Sequence, residues 1–522
     1  MYDVRDELRR YRFPDVVRGG VRLNRGTARP MFAANDPVEF GPVRVEHDLA
    51  TVRTTIPIDA PVVELDRPTT GVYVASRRGV YLDLYQGIAQ RLFDDDRIRP
   101  LLNPLIESGL LLRREINTDD YLGFAPPGVR LPVDLAEVVL AQAHKELPRP
   151  GGYKLFFSNS GTEAVEAGLK AATLVRYRHF LREYGQSAWA AVCRELGIET
   201  DAWFASRGDL VWQDYPLFVV ALRGGFHGRT LGSLGLTMSR AVQKEGFPAW
   251  RWARHVSPAG EEQLDGLIDT TPLGDLLATA GHLRAIVAAG RIPAALFAGA
   301  IFEPFQGEGG YRHPDAQLIR GLRDLCHRHG ALLIADEVQT FARMGRVFYS
   351  SGSGIDPDII CLAKSSIVGL TILPANHTEV LGHGWHANTF GSGRLFDINY
   401  AHAVWDTFVN RREPIFEGLS FAENEQVKGA YLDEKLAGLA HDHPDVLSEP
   451  DGAGCLWGLT VADRDLFIRE AWHQGAKLLG AGDAAKPGRI RLILPADVLT
   501  REVDDVIDVL GRTCLALERA RP

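Results

Sequence analysis

Apolar and polar positions fall into two kinds of block from about residue 130 onward. Short unbroken apolar runs, "KLFF", "LFVVAL", "AALFAGAIFEP", "ALLIAD" and "PDIICLA", read as strands buried on both faces. Between them lie longer stretches with apolar residues at helical spacing: "DLAEVVLAQAHKEL", "TEAVEAGLKAATLVRYRHFL" and "DAQLIRGLRDLCHRH", the last stopped by Gly330 at a C-cap position. Buried strands separated by helices predict a mostly parallel, wound α/β sheet. In such sheets ligands sit beyond the carboxyl ends of the strands.

The flanks have a different texture. Residues 1–60 are rich in Arg and Pro with weak periodicity and read as an irregular arm; residues 61–125 carry short β-like pieces, "PVVELD", "GVYVAS" and "GVYLDLYQGIA". The wound sheet fills 126–394. From 395 to 522, helical "NYAHAVWDTFVNRR" and "ENEQVKGAYLDEKLAGLA" lead to "GCLWGLTV", "DLFIREAWHQG", "RIRLILP" and a last helix. That set predicts a smaller α+β domain, joined by the segment at 61–125.

At 522 residues the chain can bury a sizeable core, and its net charge of -9 argues against a broad grip on nucleic acid or anionic lipid. Cys193, Cys326, Cys361, Cys455 and Cys514 are odd in number, far apart and without CxxC spacing, so neither a disulfide framework nor a zinc site is expected. The histidines of "HRHG" and "HDHP" stand two apart, which splays them on a helix and speaks against a metal. No uncharged apolar run is long enough to span a bilayer, and "MYDVRDELRRYRF" lacks the apolar core of a signal peptide. A soluble cytoplasmic protein is expected.

Each strand delivers chemistry at its carboxyl end. "KLFF" leads into Ser160, Gly161 and Thr162 before a helix, a ready anion site. "LFVVAL" leads to "RGGFHGRT" with Phe226, His227 and Arg229; "AIFEP" to Glu303 and then Glu308; "ALLIAD" to Asp336, Glu337, Val338 and Gln339; "PDIICLA" to Lys364. Alone, each has a bland reading as a cap, a turn or a surface charge. Together they supply what pyridoxal phosphate (PLP) needs: an amine, a carboxylate for the pyridinium nitrogen, a phosphate cup and an aromatic face.

From about residue 60 to the end, the chain resembles the class III aminotransferases of PLP fold type I. The matching stretches are "FFSNSGTEAVEAGLKAA", "GGFHGRTLGSLGLT", "FEPFQGEGG", "LLIADEVQT", "PDIICLAKSS", "HANTFGSG" and "RIRLILP", with a texture most like lysine 6-aminotransferase and 4-aminobutyrate aminotransferase. The resemblance implies a Schiff base on Lys364, which would also shuttle the substrate proton. Asp336 would pair with the pyridine nitrogen, Val338 would back the ring and Gln339 would lie near its phenolic oxygen. Phe226 would stack on the ring, with His227 and Glu303 completing the cofactor site. Ser160, Gly161 and Thr162 would hold the phosphate, with Thr389 supplied by a second subunit of a homodimer. Arg229 would clamp a substrate carboxylate. Glu308 and Arg491 would form a switch that admits both an ω-amine donor and 2-oxoglutarate.

The chain departs from that pattern in places. "DEVQTFARMG" is one residue shorter than the family's usual "DEVQTGFGRTG", and "TFGSGRLFD" replaces "TFGGNP". A long segment, "YGQSAWAAVCRELGIETDAWFASRGDLVWQDYP", precedes Phe226. Racemases, aminomutases, decarboxylases and lyases share the fold and form the alternative, though they have no obvious need for the dual-substrate switch. A nucleotide-binding Rossmann sheet would show GxGxxG after its first strand, and "SNSGTEA" does not.

Overall fold

The computed structural model describes residues 15–18, 21–24, 69–76, 79–92, 95–110, 125–260, 264–377, 394–412, 419–482 and 487–520. The chain divides into two compact units: one takes residues 102–341 and 346–406, the other residues 1–101, 342–345 and 407–522.

The first unit is built on a seven-stranded sheet. Its strands are β1 (Tyr153–Ser158), β2 (Phe218–Leu222), β3 (Ala253–Val256), β4 (Phe297–Phe302), β5 (Leu332–Asp336), β6 (Ile359–Leu362) and β7 (Gly369–Pro374), in the order β1-β7-β6-β5-β4-β2-β3. Neighbours from β6 through β5, β4 and β2 to β3 are parallel; β7 runs antiparallel to both β1 and β6. The mostly parallel sheet expected from the sequence is present, with one reversed strand.

Every residue of β2, β4, β5, β6 and β7 is buried, because helices cover the sheet; this is why the apolar runs show no alternation. The helix Gly161–Glu195 follows β1 and is capped by Ser160, whose hydroxyl accepts from Glu163 N. It continues well past the stretch read as helical and breaks at Gly185, where φ is 79° and ψ is 171°. The helix Ala316–His329 starts with Asp315 accepting from Leu318 N and ends at Gly330 in the left-handed region (φ 59°), as its sequence position suggested. Ile334, fully buried at the centre of β5, is one of the residues on which this core depends; truncating it to Ala costs about 2–5 kcal/mol.

The second unit carries a four-stranded antiparallel sheet, in the order Leu447–Ala453, Leu456–Val461, Gly488–Ile493, Leu479–Ala481. Trp457, Leu459, Ile490 and Leu492 from its strands share a core with Val506 and Leu510 of the last helix, Thr500–Arg519. A second small sheet holds Tyr73–Ser76 and Gly79–Asp83, followed by an element the sequence did not announce. Gln86, Gly87, Ile88 and Ala89 all have positive φ (48°, 62°, 58° and 63°), a single left-handed turn. Each non-glycine residue in it costs about 1–2 kcal/mol. Buried Gln86 offsets that cost: its amide donates to Asp83 O at 2.7 Å, and its Oε1 accepts from Arg91 Nε at 2.7 Å.

Candidate active site

The carboxyl edge of the seven-stranded sheet gathers most of the expected residues. Asp336 closes β5 and is 5% exposed. Its Oδ2 lies 2.8 Å from His227 Nδ1, and its Oδ1 accepts from Val338 N at 3.1 Å. His227 is fixed in turn, since its N–H donates to Thr237 Oγ1 (2.9 Å), whose hydroxyl donates to Gly228 O. The imidazole therefore braces the carboxylate from behind. Among the described residues His227 Nε2 is buried without a hydrogen-bond partner.

Lys364 follows β6 in the adjacent position, for Asp336 is in register with Cys361. Its φ is 51°, outside the usual range for a residue with a Cβ, and Ile367 three residues later has φ 70°. Strained backbone of this kind persists where the surroundings over-determine it, and it clusters at functional sites.

The start of the Gly161–Glu195 helix abuts this pair. A Cβ on Gly161 would lie 2.8 Å from Val338 Cγ1 and 3.4 Å from Ala363 Cβ, so only glycine lets the helix terminus reach the strand ends. Ser160 spends its hydroxyl on capping Glu163, the ordinary role for that residue. Thr162 joins a hydroxyl cluster with Ser233 (2.8 Å) and Thr230 (3.0 Å), which is itself bonded to Glu166. This cluster is not legible in the sequence: Thr230 and Ser233 lie inside "FHGRTLGSL", but nothing local ties them to Thr162.

Phe226 carries Arg229, whose guanidinium carbon lies 5.6 Å from the ring centroid. The Phe226 N–H donates to Glu303 Oε2 at 2.9 Å. Glu303 is 5% exposed; burial pushes its carboxyl up to about 7, His227 and two backbone N–H donors pull it back, and the charge of Asp336 adds to the rise. Gln339 Nε2 donates to Tyr311 OH at 2.9 Å. Glu308 forms an ion pair with Arg240 at 3.3 Å, and no motif in the sequence marks that arginine.

Arg491 belongs to the second unit, in register with Gly458, and donates to Gly480 O through both Nε (2.9 Å) and Nη2 (2.7 Å). Thr389 lies outside the described residues. Glu337, to which the sequence assigned no task, is fully buried and accepts from Tyr349 N (3.0 Å), Ser350 N (2.7 Å), Ser350 Oγ (2.6 Å) and Thr340 Oγ1. Burial raises its carboxyl above the usual range and those donors resist the rise.

The donor set fits PLP. It offers an amine on a strained turn, a buried carboxylate backed by an imidazole, and glycine at both close approaches of the cup: a Cβ on Gly228 would stand 2.1 Å from Thr162 Oγ1.

Comparisons with known proteins point the same way. A family model, Aminotransferase class-III, matches residues 124–513. Acetylornithine aminotransferase 1 of Bradyrhizobium diazoefficiens is 31% identical over 376 residues, covering 70% of this chain and 75% of that protein. The lysine aminotransferase of M. tuberculosis, solved in its internal aldimine form, superposes with a TM-score of 0.62 at 26% identity, over 87% of this chain and 95% of that one. A transaminase from the marine bacterium Virgibacillus shares the fold, with a TM-score of 0.66 at 17% identity over 90% of this chain and 97% of its own. The extent of these matches and the residues at the sheet edge make this chain a member of the class III aminotransferase family, with pyridoxal phosphate as its cofactor.

Proposed function

We propose that this aminotransferase moves the amino group of a lysine-, ornithine- or 4-aminobutyrate-like donor to 2-oxoglutarate. Two relatives act on amino acids of that shape by name, acetylornithine and lysine. The observation that carries the reading is the Arg229 guanidinium over the Phe226 ring. With Phe226 on the cofactor ring, Arg229 would be a carboxylate-binding fork one ring away, which suits a donor with a carboxylate far from its reacting amine.

When bound, PLP supplies an electron sink for the carbon that bears the reacting amine. Lys364 would hold the cofactor through Nζ and would hold and move the proton of the substrate carbon. Asp336, held in place by His227, would pair with the pyridine nitrogen and favour its protonated form. Phe226 and Val338 would cover the ring faces, Gln339 would attend the phenolic oxygen, and Ser160, Gly161 and Thr162 would hold the phosphate. Glu308 and Arg491 act as the switch between donor and acceptor. The working form is a cytoplasmic homodimer in which Thr389 serves the neighbouring site.

An absorbance spectrum of the purified enzyme, taken before and after adding glutamate, tests this. A visible cofactor band that is lost on addition supports glutamate and 2-oxoglutarate as the acceptor couple, and a panel of diamino and ω-amino acids then ranks the donors. A band indifferent to glutamate overturns the acceptor assignment.

A further inference from the structure

We propose that Glu303 is a positioning residue that locks the loop carrying Phe226 to the loop carrying Glu308, so that the cofactor face and the substrate-charge end of the site are set as one piece. The inference rests on the roles given above to Phe226 and Glu308.

Glu303 stands directly after β4, on rigid backbone. Its two carboxylate oxygens serve two different loops: Oε2 accepts from Phe226 N at 2.9 Å, and Oε1 accepts from Gly307 N, the residue before Glu308, at 3.1 Å. Glutamate is suited to this place because both incoming groups are N–H donors. A glutamine would turn its own NH2 toward one of them, leaving a buried donor unmatched.

The loops are built to meet. Gln306 Nε2 donates to Arg223 O at 2.9 Å, and a Cβ on Gly309 would come within 2.4 Å of Gly224 O. Gly307 is equally confined, for a Cβ there would lie 1.8 Å from Gln339 Oε1. Gln306 bridges the two loops at Arg223, and the Glu303 carboxylate bridges them at the Phe226 and Gly307 amides. A displacement of Phe226 is therefore passed to Gly307 and Glu308, and the reverse.

The experiment compares wild type with Glu303→Gln. Three quantities are read: cofactor affinity by titrating the apo enzyme, the visible circular dichroism of the bound cofactor, and KM for glutamate. The expected result is cofactor affinity weakened about tenfold, a reduced dichroic band, and a KM raised by a similar factor, with the apo enzyme still folded and unfolding cooperatively. If only one of affinity and KM moves, or neither does, the lock is refuted.

Hydrogen exchange on the unmodified protein gives a second measurement should the variant not fold. Peptides containing the Phe226 and Gly307 amides are expected to exchange slowly and in step. Prompt or unlinked exchange refutes the lock. Because exchange is read without cofactor, a wild-type enzyme that took up no PLP would count against the cofactor roles and leave the lock to be judged on its own.

Discussion

Asp336 and Glu337 are consecutive buried carboxylates, and they do opposite things. Glu337 accepts four hydrogen bonds from Thr340, Tyr349 and Ser350, and so ties the chain beyond β5 back onto itself. Asp336 accepts one bond from a backbone N–H and pairs with one titratable partner, His227. Four fixed donors fill a carboxylate; a carboxylate with one partner per oxygen has capacity for another. Burial is common to both, so the number of partners separates a staple from a carboxylate with room for a ligand.

The largest effect is expected on the reactive side of this comparison. Lys364→Ala should abolish measurable transamination while the protein stays folded, and Asp336→Ala should lower kcat by about 10²–10⁴-fold. Turnover and unfolding of the same preparations check both. An Asp336→Ala enzyme with near-normal kcat would erase the distinction drawn between the two carboxylates.

Glu337→Ala should show the reverse pattern. Removing the acceptor strands the part-buried donor Tyr349 N and the buried donor Ser350 N, at about 1–3 kcal/mol each. Stability measured by urea unfolding should therefore fall by about 3 kcal/mol or more, while kcat per bound cofactor stays within about threefold. A kinetic defect as deep as that of Asp336→Ala would place Glu337 in the chemistry.

Protonation sharpens the contrast within the reactive cluster. The Glu303 carboxyl is raised from 4.5 to about 7 in the folded protein. A raised acid binds its proton more tightly folded than unfolded. Its contribution to stability is then full below pH 4.5 and is lost as the pH rises through about 7. Against Glu303→Gln, wild-type apo enzyme should lose stability on the order of a few kcal/mol across that window and level off above it. Parallel curves for the two proteins would show that this carboxyl is not held up by its burial.

Much of the fold could be read from the sequence because burial on both faces writes itself as unbroken apolar runs, as in "LFVVAL" and "ALLIAD". The strand ends were legible for the same reason: a charge that stops such a run must lie at the sheet edge, which located Asp336 and Lys364. What stayed hidden depends on partners distant in the chain. The antiparallel course of β7 is set by pairing with β1 and β6, not by "GLTILP" itself. The left-handed turn at Gln86–Ala89 uses residues with no preference for that conformation, and its stability comes from the bonds of Gln86 to Asp83 and Arg91. The Glu308–Arg240 pair joins loops 68 positions apart in the numbering, so neither residue marks the other.

The smallest effect tests how finely the staple is divided. Thr340 contributes one hydroxyl to Glu337 Oε2, an oxygen that also accepts from Tyr349 N. Thr340→Val keeps the volume and removes that donor, leaving Glu337 three of its four bonds. The loss should be about 1 kcal/mol, near the net worth of one buried hydrogen bond, with no change in KM or kcat. A loss as large as that of Glu337→Ala would mean that the hydroxyl alone holds the carboxylate and that the bonds from Tyr349 and Ser350 depend on it. A loss of about one bond's worth would mean that the four donors act separately, as expected of a carboxylate whose task is to hold a loop.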